Sequence, residues 1–374
     1  METPIKKSDF VLTPYMKSSD IRATFQILNT IIPYVFLWFL AVKAAALSVL
    51  WLPPIIILLT LFSVRCFSLM HDCVHYSLFS SKKVNRCVGF GLGIINSMSQ
   101  YSWARGHIYH HKTNGDWERD GGFATFLSTN EFARLNAAQQ RRYELLRQPL
   151  MALPGGFLYL AIAPRLTLLM GMYDFISYLV TCLTQDPSMS LSKINSNLKS
   201  KIWQSTTEFW DLLLSNICAI GSWIILSYFL GASFFLGVYS IVLTLAGTLF
   251  ICVAFVQHNF EGSYAHKTAG WDYLTGAIDG SSYLELPTML KWFSANIGYH
   301  NIHHLSEKIP NYHLAACHQQ NIHLLSNIKT IHIGDVLNCS KFILWDSTSN
   351  SLVSIASFRQ DTVEPNYLNQ SNKN

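Results

Sequence analysis

The sequence is short of charge. Only 13% of its 374 residues are Asp, Glu, Lys or Arg, about half the share of an ordinary soluble domain. That shortage argues against the two or three soluble domains that length alone would suggest. Runs of like charge are missing too. The formal net charge of +5 is scattered along the chain, no arm resembles one that binds nucleic acid, and no nucleic-acid partner is expected. Cysteine occurs eight times, at Cys66, Cys73, Cys87, Cys182, Cys218, Cys252, Cys317 and Cys339, with no C-x-x-C pair and no regular framework. Several of these lie in apolar stretches, where a thiol behaves as a small hydrophobe. Disulfides are therefore not expected, and the environment is read as reducing. Met1 to Thr30 lacks an apolar core followed by a small-residue cleavage site, so no signal peptide is expected.

What is abundant is apolar surface. Half of the residues are apolar, 13% are aromatic, and the mean hydropathy is +0.23. This composition predicts an integral membrane protein with substantial parts outside the bilayer. The first apolar block, about Ile31 to Met70, suits two spans of roughly 20 residues each. Pro53-Pro54 divides it, because proline fits a first helical turn, so helices are expected near 30–50 and 53–72. The second block, Asp211 to Val256, is divided by Gly231-Ala232-Ser233, with Gly as the turn and Ser as an N-cap. Its helices are expected near 211–230 and 233–256. Two shorter apolar patches, near 150–163 and 166–183, are read as lying at the membrane surface. Arg134, Arg141, Arg142 and Arg147 share a helix-like segment with Glu131 and Glu144. Lys and Arg cluster in the N-terminal arm and in 73–210 and avoid the turns near 51 and 231, which puts the arm, both His-bearing regions and the C-terminus on the cytoplasmic side. Six segments result: a cytoplasmic arm, 1–29; a first transmembrane hairpin, 30–72; a cytoplasmic and interfacial region, 73–210; a second hairpin, 211–257; a cytoplasmic cap, 258–345; and a mobile polar tail, 346–374. The fold class is an all-α integral membrane protein, with four transmembrane helices in two hairpins beneath a cytoplasmic helical cap.

Histidine marks the chemistry. His71 and His75 form an H-x-x-x-H. His107, His110 and His111 form an H-x-x-H-H, and His300, His303 and His304 repeat it. Residues three and four apart lie on one face of a helix, so each cluster could turn two or three imidazoles toward one spot. With only 14 histidines in the chain, two such triplets are not a chance pattern. Neutral imidazole is a common ligand for Zn, Fe, Cu and Ni. A structural zinc site closes with four ligands, usually including Cys, and eight histidines exceed that need. Two ions with open positions fit the count, and nitrogen ligation suits iron without excluding Cu, Zn or Ni. His258, a lone histidine at the exit of the second hairpin, mirrors His71, and spacing alone leaves it open. His266, His313, His318, His323 and His332 stand alone and are read as ordinary. Asp72, Asp116, Asp120, Glu261 and Glu307 lie near the clusters as candidate acceptors for ring N–H groups. Cys73 is expected to face away from His71 and His75.

His71-Asp72-Cys73-Val74-His75, Trp103-Ala104-Arg105-Gly106-His107, Gln257-His258-Asn259-Phe260-Glu261 and Asn296-Ile297-Gly298-Tyr299-His300 together resemble the membrane fatty acid desaturase family, over about residues 30 to 325. The first box is similar to that of bacterial and cyanobacterial Δ12 (omega-6) acyl desaturases, with Val74 where that subgroup commonly has Gly. The resemblance implies two non-haem irons held by His71, His75, His107, His110, His111, His300, His303 and His304, with His258 as an additional ligand. It implies a hydrophobic acyl tunnel, a membrane lipid or other acyl substrate, O₂, and a ferredoxin or cytochrome b5-type electron donor. The expected product is a cis double bond, with a bacterial inner membrane preferred over the endoplasmic reticulum as its setting. Physical chemistry agrees, since an unactivated C–H offers side-chain bases nothing to exploit and the oxidising power must come from a cofactor. The rivals are acyl or carotenoid hydroxylation or ketolation by the same ligands, and a metal transporter. The transporter is disfavoured because the expected spans carry no His, Asp or Glu in their interiors.

Overall fold

Ser19 ends an extended stretch and its hydroxyl accepts the Arg22 N–H, so helix α1 starts there and runs Asp20–Leu47. It begins about ten residues before the apolar block, because a capped start with Asp20 in the first turn is itself favourable. A short turn leads to α2, Leu52–Val74, with Pro53 and Pro54 in its first turn. This computed structural model describes residues 5–119, 126–197, 200 and 202–360. Ser81 and Ser99 cap α3, Lys82–Ile95, and α4, Gln100–Thr113. The expected single segment at 131–147 is two helices, α5 Thr129–Ala133 and α6 Ala137–Leu146, each opened by a capping box. Ser128 and Asn136 supply the caps and interrupt the run.

The two apolar patches expected near 150–163 and 166–183 are joined. Helix α7, Ala152–Phe157, passes through one π-helical turn, Leu158–Ile162, into α8, Ala163–Gln185. Pro164 has no N–H for the Leu160 carbonyl four residues back, and the Arg165 side chain donates to that carbonyl at 3.2 Å instead. After α9, Leu191–Asn197, α10 Thr206–Leu230 and α11 Ala232–His258 form the second hairpin. Gly231, at φ +88°, makes the turn. Ser233 is not the N-cap: Gly231 holds that position and no side chain caps α11. The protein is mostly helical, and among the described residues five stretches are long and apolar enough to cross a membrane: Asp20–Leu47, Val49–Val74, Pro149–Gln185, Thr206–Leu230 and Ala232–His258. Many of their large side chains, Phe36, Leu169, Ile224 and Tyr228 among them, are exposed. Leu69, Met70, Leu92, Phe235, Leu243 and Phe250 form the main core between α2, α3 and α11.

The remaining helices are short: α12 Tyr273–Ile278, α13 Thr288–Phe293, α14 His300–Leu305, α15 Asn311–Gln320 and α16 Val336–Cys339. The expectation of an all-α chain needs correction. Strands β1 Leu127–Ser128, β4 Phe342–Asp346 and β5 Ser351–Ser354 make one sheet, with β1 parallel and β5 antiparallel to β4. Strands β2 Tyr283–Glu285 and β3 Thr330–His332 pair in parallel as a second. They are too short to carry a readable alternation and satisfy backbone groups of otherwise irregular connections. The tail expected to be mobile from 346 is instead folded as far as 360: β5 pairs with β4, and Leu352 and Ile355 are buried with Trp345. Residues 1–4, Asp120 and 361–374 lie outside the described residues.

One buried group escaped the reading of the spans. Arg65, in the middle of α2, is 1% exposed. Its Nε donates to Thr30 Oγ1 on α1 at 2.9 Å, another nitrogen donates to the Trp292 carbonyl, and its guanidinium lies 3.7 Å from the Trp292 ring centre. It ties α1, α2 and α13 together beneath the histidines.

Candidate metal centre

Four helices end or begin at one place. The last turn of α2 carries His71, with His75 as its C-cap. The second half of α4 carries His107, His110 and His111. His258 is the last residue of α11, and α14 carries His300, His303 and His304. The structure brings all nine together, in two groups. His71, His75, His107, His111 and His303 form one, and His110, His258, His300 and His304 form the other; within each group the ring nitrogens lie within 4.8 Å of one another. The sequence triplets do not map onto the groups one to one. His107 and His111 serve the first group and His110 the second, whereas His300 and His304 serve the second and His303 the first.

In the first group, Nε2 of His107 lies 2.8 Å from that of His71 and 3.0 Å from those of His75 and His111, and Nε2 of His303 lies 3.0 Å from that of His111. In the second, His258 Nε2 is 3.0 Å from His110 and 2.9 Å from His300, whose Nε2 is 3.0 Å from His304. Burial first, and the neighbouring rings second, hold His107, His111, His300, His303 and His304 well below their ordinary 6.5. Burial pushes His110 down to about 4. These six rings are therefore neutral at physiological pH, the form in which an imidazole nitrogen can ligate a metal.

A neutral imidazole has one N–H, so shared protons cannot satisfy the three ring nitrogens crowded around His107 Nε2, whereas one cation among them would. Nitrogens ligating at about 2.1 Å lie about 3.0 Å apart at right angles and about 3.4 Å apart at the tetrahedral angle. The observed 2.8–3.0 Å suits right-angled ligation. The far ring nitrogens face an oxygen in three cases, at hydrogen-bonding geometry in one of them. His258 Nδ1 meets the Gly280 carbonyl at 2.9 Å, His75 Nδ1 faces Glu307 Oε2 at 3.4 Å, and His71 Nδ1 faces Asp72 Oδ1 at 3.6 Å. The His75 ring holds the Glu307 carboxyl below its ordinary value, despite partial burial, and Lys112 and Lys308 add to this. The other Asp72 oxygen accepts the Asn311 backbone and side-chain N–H groups, both at 2.8 Å. Such contacts fix a ligand ring's tautomer and orientation. The donor set and spacing thus fit metal ions.

Of the other candidate acids, Asp116 is turned to Arg119 and Thr268, and Glu261 is exposed. The five lone histidines belong to neither group. His266, His313 and His332 are engaged by the Lys267 carbonyl, the Tyr15 carbonyl and Glu285. Cys73 is buried away from the ring nitrogens, beside Gly89. Asn311 and the Gly280 carbonyl carried no sequence signal, because each acts only through a fold that brings it across more than twenty residues.

Both groups open on an apolar cavity of about 340 Å³, lined by Phe67, Trp103, Tyr159, Leu249, Phe250 and Val253 together with His71, His107, His110, His258 and His300. Trp103 stacks on His107 with ring centres 4.5 Å apart, and its Nε1 donates to the Tyr159 hydroxyl at 2.8 Å. Phe67 and Phe250 stack at 3.9 Å.

Long apolar helices and two imidazole clusters able to hold metal ions, set against an apolar cavity, define a candidate metal centre beside the apolar part of the fold. The family model for fatty acid desaturase matches residues 46–329. A fatty acid desaturase of Bacillus subtilis (strain 168) is 29% identical over 335 residues, covering 89% of this chain and 86% of the relative. An sn-1 acyl-lipid omega-3 desaturase (ferredoxin) of Nostoc sp. (strain 36) is 23% identical, covering 82% of this chain and 75% of its own. A Delta(12) fatty acid desaturase of Mortierella alpina is 25% identical, covering 66% and 61%. The chain belongs to the fatty acid desaturase family, an oxygen-dependent di-iron class of oxidoreductase.

Proposed function

We propose that this enzyme introduces a cis double bond of the Δ12 (omega-6) type into a membrane acyl chain, using O₂ and two electrons from a ferredoxin or cytochrome b5-type donor. The observation that carries the reading is that both imidazole clusters face one apolar cavity. In this reading all nine histidines are ligands of two irons, His71, His75, His107, His111 and His303 at one and His110, His258, His300 and His304 at the other. The all-nitrogen donor set suits iron. Bound iron supplies the O₂ chemistry that removal of unactivated hydrogens needs. The reaction balances as one CH₂–CH₂ unit, O₂, two electrons and two protons giving one CH=CH unit and two waters.

The chain's own residues do the rest. Phe67, Phe250 and Val253 exclude water and accept methylenes. The Trp103–Tyr159 hydrogen bond fixes the wall beside His107. Gly280, Glu307 and Asp72 hold ring orientations. In this reading the clusters and the N-terminal arm lie on the cytoplasmic side of a bacterial inner membrane, with two hairpins of spanning helices below a helical cap.

Expression in a host that makes only monounsaturated lipids tests the proposal. A diene is expected in the fatty-acid profile, absent when His304→Ala is expressed to the same level. A hydroxylated product would move the enzyme to the hydroxylase class, and unchanged acyl chains would refute an acyl substrate.

A further inference from the structure

Four side chains outside both imidazole groups form a compact cluster near α14. Tyr283 on β2 and Tyr299, the N-cap of α14, stack with ring centres 4.9 Å apart and planes 20° from parallel. The His318 ring, on α15, lies 4.9 Å from the first and 5.1 Å from the second. Lys291, on α13, points its ammonium at both hydroxyls, 3.1 Å from that of Tyr283 and 3.5 Å from that of Tyr299. The two hydroxyls are also hydrogen-bonded to each other. All four residues are half-buried, and all lie outside the apolar stretches.

The cluster reaches the metal centre along the chain itself. Tyr299 directly precedes His300, so their Cα atoms are about 3.8 Å apart, and His300 belongs to the second imidazole group. A phenol yields an electron and a proton together far more easily than an aliphatic side chain or an imidazole does. Two stacked phenols with bonded hydroxyls pass that loss from one to the other. Trp103, stacked on His107, is also oxidisable, but its N–H is bound to Tyr159 in the wall of the apolar cavity. Tyr283 and Tyr299 stand at a half-exposed edge, where water takes a released proton. An enclosed site limits side reactions. Without an acyl chain in place, though, the oxidising power of an O₂-reducing centre falls on its ligands and walls.

We propose that Tyr299 and Tyr283 form an escape route for oxidising equivalents when O₂ reacts with no acyl chain in place. One electron leaves the Tyr299 ring for the oxidised centre, and the hydroxyl proton passes to water. The hydrogen between the bonded hydroxyls then moves the radical from Tyr299 to Tyr283, leaving Tyr299 a phenol again. One electron from the enzyme's donor and one proton from water restore Tyr283. Each cycle carries one electron inward and leaves both phenols unchanged. Lys291 holds the two hydroxyls in register by donating to both. The proposal rests on the reading of His300 as an iron ligand.

The test uses the full-length iron-loaded protein in liposomes of a phytanyl ether lipid, which offers no acyl ester. The protein is reduced, mixed with O₂ and frozen, and radicals are read by electron paramagnetic resonance. A tyrosyl signal is expected, narrowed when the protein is made with ring-deuterated tyrosine and suppressed when acyl lipid is included. Tyr299→Phe keeps the ring and removes the hydroxyl. It should lose the signal at unchanged iron content and unchanged initial turnover on acyl lipid. Peptide mass spectra of that variant should show more oxygen added to the ligand histidines after repeated reduction and oxidation. Tyr283→Phe should keep a radical, confined to Tyr299. Tyr273→Phe removes another hydroxyl bonded at the second group, to the His304 carbonyl at 2.8 Å, and should change neither readout. A signal that survives Tyr299→Phe, or one that deuterated tryptophan assigns to Trp103, would overturn the route. Loss of iron in Tyr299→Phe would make the cluster a structural clamp, and slower reduction by the donor with the signal intact would make it an entry path; either result refutes the proposal. So would wild-type protein that yields product from acyl lipid but no radical without it. No product from acyl lipid would instead overturn the desaturase reading.

Discussion

Neighbouring residues on an α-helix point about 100° apart, so the two adjacent histidines of an H-x-x-H-H cannot serve one cation. His107 and His111, four apart, converge on the first group, while His110 between them turns to the second; His300, His304 and His303 do the reverse. A testable partition follows. His110→Ala and His304→Ala each damage the second group, so the double variant should lose little more iron than either alone. His110→Ala with His111→Ala damages both, so iron content should fall from about two per chain toward none, and metal analysis of the purified variants decides between these patterns. Protons compete with the metal for the same lone pairs, so retention falls as pH falls. Because burial holds His110 down to about 4 and keeps His107, His111 and His304 well below 6.5, iron should be retained on dialysis below pH 6.5 and should leave the second group as the pH approaches about 4. Release that tracks an ordinary histidine titration near 6.5 would contradict the buried, neutral state of these rings.

At the scale of elements, the site depends on how closely α7 approaches α11. A Cβ placed on Gly156 would fall on the backbone of Thr244, Gly247 and Thr248, and one on Gly247 on the backbone of Gly156. Small residues allow such contact where lipid supplies no hydrophobic drive between helices. Two residues beyond Gly156 the π-helical turn begins, carrying Tyr159 to Trp103 and the cavity wall. Gly156→Ala or Gly247→Ala should destabilise the detergent-solubilised protein by about 1–3 kcal/mol, the usual penalty for overpacking. It should also lower turnover by displacing Tyr159. A Gly155→Ala control, whose Cβ would meet only Ile251 at 3.5 Å, should change melting temperature far less. Pro154-Gly155-Gly156 lies inside the first of the two short apolar patches, and only the pairing with α11 gives Gly156 its purpose.

For the whole molecule, parity constrains how the five apolar stretches meet the bilayer. If Pro149–Gln185 crossed once, three crossings would separate His111 from His258 and put them on opposite faces. Yet His110 and His258 Nε2 lie 3.0 Å apart. We therefore expect Pro149–Gln185 to start and finish on the cytoplasmic side. Ser188→Cys, just past α8, should then be protected from a membrane-impermeant maleimide in intact bacterial cells and labelled after lysis. Ser233→Cys, in the turn between α10 and α11, should label from outside. External labelling at position 188 would refute this topology.

Residue type and spacing sufficed to mark the apolar blocks as long helices and eight histidines as one recurring pattern, with His258 left open, because helical periodicity and imidazole chemistry are local properties. The same locality hid the rest. Strands of two to five residues pair with partners far along the chain. Arg65 looks like a stray charge until Thr30 and Trp292 close around it. The division of nine histidines into five and four arises only when helices from four parts of the chain meet at fixed rotations. Which ring shares an ion with which is a question of distance, and distances between segments exist only after the chain has folded.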